Sequence, residues 1–251
     1  MSMRLLPLPA ALLLLAACAG PSAQDREASQ VHTGIAQQAL RNGDPRTALA
    51  EIERAVERNP ENAEARNLYG LLLHLYFARL DAAVEQYRKA IEIDPGYSEA
   101  KVNLGAVLTA LGRCVEAIPL LEQAREDLTY REPWLAENNL GWCLYQQGDV
   151  DRALVHLRAA IASNPGFCLG YRNLAEIAED QGALDDAARL LERYRRSCPK
   201  VADADYRLGL VQLKQGRDAD ARTSFLACAE KAREGELADA CRRQASMIPE
   251  G

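Results

Sequence analysis

Three series of mostly small residues recur along this sequence every 34 to 36 residues, and this period constrains the fold more than any other feature. The first series consists of Ala36, Gly70, Gly105, Gly141, Ala175 and Gly209. The second consists of Ala48, Ala83, Ala117, Ala153, Ala187 and Ala221. The third consists of Ala55, Ala90, Ala124, Ala160, Tyr194 and Cys228. A fixed period of this length indicates stacked copies of one structural unit.

Glycines and prolines mark the ends of the elements within each copy. Between the first and second series lie Gly43, Gly112, Gly148, Gly182 and Gly216. After the third series lie Pro60, Pro95, Pro165 and Pro199. Glycine permits the positive φ at which a helix ends, and proline cannot continue a helix. Each copy is therefore predicted to be a helix, a glycine turn, a second antiparallel helix and a proline break.

The composition favours helices and excludes one class of partner. The chain is rich in Ala, Leu, Arg and Glu, whereas aromatic residues make up only 6% of it. Because 48% of the residues are apolar, a packed core is expected. The net charge is -6 and the chain has no long basic block, which excludes nucleic acid as a partner.

Residues 29 to about 232 resemble tetratricopeptide repeats, and the clearest copy reads NLGWCLYQQGDVDRALVHLRAAIASNP. The resemblance implies an all-α fold, a right-handed α-solenoid of six tetratricopeptide repeats with a C-terminal capping helix. The predicted repeats are 29–62, 63–97, 98–133, 134–167, 168–201 and 202–232. Residues 233–251 are assigned to the capping helix and a tail, with apolar residues on one face of Glu236–Met247.

Three copies depart from the pattern. The sixth has no proline and runs into Glu236–Met247, and the other two change the length of a connection. The second has Tyr76-Phe77-Ala78 in place of the glycine turn, with one extra residue. The third has Thr129 in place of its proline and gains two residues before Trp134. We expect longer connections at both places.

The first residues have the pattern of an export signal. Arg4 is followed by an apolar run from Leu5 to Ala17 that is too short to span a bilayer. The run ends in Leu-Ala-Ala-Cys18, which resembles the lipobox of bacterial lipoproteins and implies a signal peptide over 1–17 and a lipid on Cys18. The alternative is an ordinary secreted protein with an unmodified cysteine.

The resemblance to lipoproteins also implies a location. In this class an Asp directly after the lipidated cysteine tends to retain the protein in the inner membrane, and this chain has Ala19. The periplasmic face of the outer membrane is therefore expected. Residues 18–28 are predicted to be a lipidated N-terminus and tether, because they are small and polar and show no apolar period.

With Cys18 lipidated, six of the seven cysteines remain. They form no C-x-x-C motif, so a zinc ribbon or thioredoxin-like site is not expected. The antiparallel repeat frame brings them together in three pairs. The pairs are Cys114 with Cys143, Cys168 with Cys198, and Cys228 with Cys241. Such bonds fit an oxidising compartment, and the alternative is buried free thiols that fill small positions.

Catalytic chemistry finds little support in the sequence. His32, His74 and His156 lie in three different copies, and no nucleophile, zinc or phosphate-binding motif is present. An enzyme would have to use His74 with nearby acids. We therefore predict a protein-binding scaffold that is not an enzyme and has no cofactor, metal or small-molecule substrate.

In tetratricopeptide repeats the first helix of each unit lines a concave groove. The predicted partner-binding residues are Leu40, Asn67, Leu71, His74, Val102, Ala106, Leu135, Asn138, Trp142 and Tyr145. They form an apolar surface with scattered amides that suits an amphipathic helix, whereas the fifth copy is charged. The alternative for each residue is packing between neighbouring first helices.

A lipobox followed by six repeats that fill the mature chain is similar to the pilotins of type IV pili, the Tgl, PilF and PilW group, and is closest to the Tgl type. The resemblance implies binding to monomers of the secretin, the pore of the pilus machine, and promotion of their outer-membrane localisation and multimerisation. A lipoprotein adaptor for barrel assembly or for peptidoglycan enzymes would share the same features.

Overall fold

The computed structural model describes residues 20–249, and in this range the chain forms thirteen α-helices and no β-strand. The helices are α1 (Ala23–Arg41), α2 (Pro45–Arg58), α3 (Ala63–Leu75), α4 (Leu80–Ile93), α5 (Ser98–Ala110), α6 (Cys114–Glu126), α7 (Pro133–Gln146), α8 (Val150–Ser163), α9 (Cys168–Asp180), α10 (Leu184–Ser197), α11 (Ala202–Lys214), α12 (Asp218–Ala232) and α13 (Glu236–Met247). The predicted signal peptide and Cys18 lie outside the described residues.

The helices follow the predicted repeat. Helices α1 to α12 form six consecutive pairs, the third of them through the close approach of Gly105 on α5 to Leu121 on α6. Helix α13 packs against α12 at the place predicted for the capping helix. The pairs after the first begin at residues 63, 98, 133, 168 and 202, each within one residue of a predicted repeat start. The all-α tetratricopeptide fold expected from the sequence is therefore confirmed.

The chain divides into two compact units, and the boundary between Ala100 and Lys101 falls within α5. In the N-terminal unit, a core of small and aliphatic side chains surrounds Ile52 and Leu72, both fully buried. In the C-terminal unit, one core cluster surrounds Leu191 and Leu208 on α10 and α11. A second cluster places Phe225 of α12 against the end of α13.

The small residues mark the closest approach of the two helices in a pair. All eighteen members of the three series are buried. A Cβ added at Gly70 would lie 2.7 Å from the ring of Tyr87, and one at Gly209 would lie 2.7 Å from the ring of Phe225. The first series therefore makes room for a large side chain of the second helix.

The glycine turns adopt the predicted left-handed conformation. Gly148, for example, has a φ of 83°, and the N–H of Asp149 donates to the carbonyl of Leu144 at 2.9 Å. In the longer second turn, Ala78 takes this conformation with a φ of 51°. The N–H of Arg79 donates to Leu73 at 2.8 Å, so the turn closes around one more residue.

The tether prediction is wrong from Ala23 onwards, because α1 begins there. Ser22 and Asp25 form a capping box: the Ser22 hydroxyl accepts a hydrogen bond from the Asp25 N–H at 3.1 Å. The first turns of α1 contact α3 through polar groups, since Asn62 donates to the buried Ser29 hydroxyl at 2.9 Å. Because this contact is polar, it requires no apolar residues at helical spacing. The sequence pattern therefore gave no signal for this part of α1.

Three disulfides join the predicted cysteine pairs. The Cα–Cα distances are 5.2 Å for Cys114–Cys143, 6.0 Å for Cys168–Cys198 and 6.0 Å for Cys228–Cys241. The first links α6 to the next repeat, the second links the two helices of one repeat, and the third fastens α13 to α12. Between residues 20 and 249, no helix combines the length and the apolar character needed to cross a bilayer.

Candidate functional site

The first helices of neighbouring repeats in the C-terminal unit are joined by polar side chains. The Nδ2 of Asn173 on α9 donates to Oδ1 of Asn138 on α7 at 2.9 Å, and both side chains are buried. Near the other end of α7, the hydroxyl of Tyr145 donates to the carboxylate of Asp180. Both contacts join residues 35 positions apart, which is one repeat length.

The same surface continues from α9 to α11 through charges of opposite sign. The ammonium group of Lys214 pairs with the carboxylate of Glu179. The guanidinium of Arg207 lies 3.5 Å from Glu176 and 3.0 Å from Asp203. Because these charges neutralise one another within the chain, the charged fifth repeat offers a partner less net attraction than its sequence implies.

Helix α7 supplies the apolar part of this surface. Leu135, Asn138, Trp142 and Tyr145 recur at helical spacing and share one side of α7. The rings of Trp142 and Tyr145 lie 5.2 Å apart between centroids, and both side chains are half-buried. We call the half-buried residues Leu135, Trp142 and Tyr145 the α7 surface. An aromatic pair of this kind is a frequent anchor in protein interfaces.

Tyr145 is already engaged by its own chain. Its pKa is raised to about 12, first because its hydroxyl donates to the Asp180 carboxylate and then because the group is partly desolvated. The hydroxyl is therefore neutral at physiological pH and held at the edge of the α7 surface. A partner would meet the ring of Tyr145 rather than a free hydroxyl group.

Two residues predicted to contact a partner in this unit are instead structural. Val102 is 2% exposed and packs with Ala124 and Ala136. Asn138 is 1% exposed and is occupied by Asn173. The prediction is wrong for both, because each lies between adjacent helices rather than on the open surface. Ala106 remains half-buried.

In the N-terminal unit, too, some of the predicted partner-binding residues are buried and others are half-buried. Asn67 is buried and donates to the Tyr97 hydroxyl at 3.2 Å and to Glu99 at 3.0 Å, so its prediction as a partner contact is also wrong. Leu40 and Leu71 are half-buried and pack against the core around Ile52. Their apolar surface is therefore mostly used within the unit.

The histidines are spread through the structure. Burial lowers the pKa of His74 below its usual value, and no hydrogen bond or ion pair engages His74 among residues 20–249. His32 lies 2.6 Å from Glu51, and His156 lies 2.7 Å from Glu137, each across the helices of one pair. Throughout the described part of the chain, no group of three or more acidic, His or Cys side chains could hold a metal ion.

Asp180, Glu179 and Lys214 belong to this surface although the sequence analysis did not connect them with their partners. The repeat length could have predicted these contacts, because Glu179 and Lys214 lie 35 residues apart, and so do Tyr145 and Asp180. Residues one repeat apart on the first helices are neighbours in space. Testing each such pair for complementary side chains would have found these contacts.

Paired helices, buried small residues and contacts one repeat apart define a helical-repeat protein with a surface suited to binding another protein. One family model described as a tetratricopeptide repeat matches residues 33–98 and 172–236, and a second model with the same description matches 97–164. The chain therefore belongs to the tetratricopeptide-repeat family.

Among solved structures, the chain closely matches PilW and PilF over most of its length. The match to PilW, a widely conserved type IV pilus biogenesis factor, has a TM-score of 0.75 and 27% identity, and covers 84% of this chain and 97% of PilW. The match to PilF of Pseudomonas aeruginosa has a TM-score of 0.68 and 18% identity, and covers 88% of this chain and 99% of PilF.

A tetratricopeptide repeat protein from Parabacteroides merdae is also similar, with a TM-score of 0.70, 16% identity, and coverage of 87% of this chain and 83% of that chain. At 16% and 18% identity, this protein and PilF show the shared fold alone. No curated protein sequence matches the chain significantly.

Proposed function

We propose that this protein is a pilotin of the type IV pilus: an outer-membrane lipoprotein that binds secretin monomers and promotes their outer-membrane localisation and multimerisation for pilus assembly and motility. The observation that supports this most is the similarity to PilW, at 27% identity over 97% of that chain. The lipobox-like segment ending at Cys18 supports the membrane anchor.

In this proposal the protein acts by binding and has no catalytic step. Tetratricopeptide repeats present surfaces to other proteins, and the secretin monomer is the partner. A lipid anchor on Cys18 would hold the bound secretin monomer at the periplasmic face of the outer membrane. Confinement to this surface would raise the local concentration of secretin monomers. Multimerisation then follows from proximity.

The α7 surface is the part of the first helices best suited to hold a secretin segment. Its neighbours on α9 and α11 are paired with one another, whereas Trp142 keeps part of its ring exposed to solvent. Covering that ring with an apolar side chain of a partner removes further surface from water. A helix with apolar residues at every third or fourth position fits this requirement.

The experiment is a substitution at the centre of this surface. We expect Trp142→Glu to reduce heat-resistant secretin multimers on a gel by at least about tenfold, because a carboxylate facing an apolar partner loses its hydration without gaining a partner. Val115→Glu on α6 is the matched control, since Val115 is 79% exposed and lies on a second helix. Its multimer level should equal that of the wild type.

Circular dichroism and the amount of each variant in membranes exclude unfolding as the cause. Normal multimers with Trp142→Glu, or equal losses with both variants, would contradict the proposed surface. Co-purification from membranes tests the partner itself. Recovery of a barrel-assembly protein or a peptidoglycan enzyme in place of the secretin would contradict the pilotin function.

A further inference from the structure

A cavity of about 400 Å³ lies within the C-terminal unit, on residues that the α7 surface does not use. It is formed by α8, α9 and α10, and we call it the α8–α10 trough. Its lining residues are Leu154, Arg158, Ile161, Leu174, Ala178, Gln181, Ala183, Asp186, Arg189, Leu190 and Arg193. The volume lies within the range of known binding pockets.

The lining residues show how the trough is oriented. Helix α8 contributes residues at spacings of four and three, and so does helix α9 together with its C-cap residue Gln181. The two sets are Leu154, Arg158 and Ile161, and Leu174, Ala178 and Gln181. Helix α10 contributes Asp186, Leu190 and Arg193 at the same spacings. Residues at these spacings lie in a row along a helix, so the trough follows the helix axes for about 10 Å.

The floor and the rim of the trough differ in chemistry. The floor is apolar, and Leu154, Ile161 and Leu190 on it are only half-buried, so part of their surface faces water. Arginines from both flanking helices stand on the rim: Arg158 from α8, with Arg189 and Arg193 from α10.

Two of these arginines lack an acidic partner. Arg189 pairs with Asp186, but across residues 20–249 neither Arg158 nor Arg193 forms an ion pair or a side-chain hydrogen bond. This contrasts with the first helices, where the charges on α9 and α11 are neutralised within the chain. Free cations on both sides of an apolar floor, in a protein of net charge -6, mark a site for a ligand of opposite charge.

We infer that the α8–α10 trough is a second docking site, and that its occupant is an acidic amphipathic helix of a partner protein. Apolar side chains one helical turn apart would cover the half-exposed leucines of the floor. Carboxylates on the two flanks of that helix would pair with Arg158 and Arg193. The open, straight shape favours a helix over a lipid chain, because a site for an acyl chain encloses most of its ligand.

Fluorescence anisotropy with a synthetic probe tests this inference on the intact chain. The probe is a labelled peptide of about 15 residues, with leucines at helical spacing and glutamates on both flanks. We expect the wild type to bind it and the Arg158→Glu/Arg193→Glu variant to bind at least about tenfold more weakly. A probe with lysines in place of glutamates should prefer that variant over the wild type.

Arg196→Glu is the matched control, because Arg196 lies on the same helix outside the trough and pairs with Glu192 at 3.7 Å. It should leave probe affinity unchanged. The inference is overturned if a scrambled peptide binds equally well, or if charge reversal at the rim has no effect. It is also overturned if the rim arginines instead govern binding to phosphatidylglycerol vesicles or self-association measured by sedimentation. These measurements use a synthetic peptide and no secretin, so their results do not depend on whether the pilotin proposal is correct.

Discussion

A Cβ on Gly141 would lie 2.8 Å from Cγ of Leu157, so α7 and α8 meet with no space for a side chain at this point. The same added carbon would lie 3.0 Å from the carbonyl oxygen of Ala153, which belongs to the backbone and cannot rotate away. Glycine at position 141 is therefore a steric requirement of the α7–α8 pair.

Gly141→Ala should destabilise the protein by roughly 1–3 kcal/mol, because the added methyl group overpacks a contact that includes backbone. Gly34→Ala is the control: it also lies inside a helix, and its added Cβ would meet no atom within 4 Å among the described residues. That variant should gain about 0.5–1 kcal/mol from better helix propensity. Urea unfolding compares the two, and equal effects would contradict the steric explanation.

The turn between α3 and α4 should be improved by glycine. Ala78 has a φ of 51°, a conformation that is unfavourable for a residue with a Cβ. We expect Ala78→Gly to raise the free energy of unfolding by up to about 1 kcal/mol. The reverse substitution, Gly148→Ala, should lower it by about 1 kcal/mol, because Gly148 has a φ of 83°. If Ala78→Gly proves destabilising, strain in this turn is not the dominant effect.

The disulfide between α12 and α13 should hold the last helix in place. Replacing both Cys228 and Cys241 by alanine should cost about 3 kcal/mol, since their bond closes a loop with a sequence separation of 13. Residues 233–235 should then become sensitive to limited proteolysis. The wild type treated with a reducing agent should become sensitive at the same residues. Mass mapping of the untreated wild type, without reduction, should recover all three cysteine pairs.

Cys18→Ser should leave the protein without a lipid and displace it from the outer membrane. Lipid attachment needs the thiol, and serine cannot form the thioether. Membrane fractionation is the measurement, and the variant should be lost from the outer-membrane fraction. Retention of the variant in the outer-membrane fraction would contradict lipidation at this residue.

The repeat architecture could be predicted from the sequence because the residues that mark it act through steric constraints. Glycines such as Gly141 and breaks such as Pro165 have one physical role each. Their spacing placed the starts of the second to sixth repeats within one residue of the observed first helices. The start of α1 was missed because Ser22 caps the helix and Ser29 makes a polar contact in place of an apolar one. No hydrophobic period marks such a segment.

The site was less predictable, since residue type alone does not decide whether a side chain on a first helix is exposed. Val102 and Asn138 are buried, whereas Trp142 is half-exposed on the same kind of helix. The arginines near the end of α10 are a second case. Arg195 lies 4.0 Å from the fully buried Asp205, whereas Arg193, two positions earlier, has no such partner and lines the trough.

The three disulfides also give the chain a direction of unfolding. Helical-repeat proteins open first at their ends, where a helix has a neighbour on one side only. Cys228–Cys241 closes the C-terminal end covalently, whereas residues 19–113 contain no cysteine. Heating should therefore open the chain from α1 inward, and amide exchange should slow progressively toward Cys114. We therefore expect fraying at α1 and none at the end that Cys228–Cys241 closes.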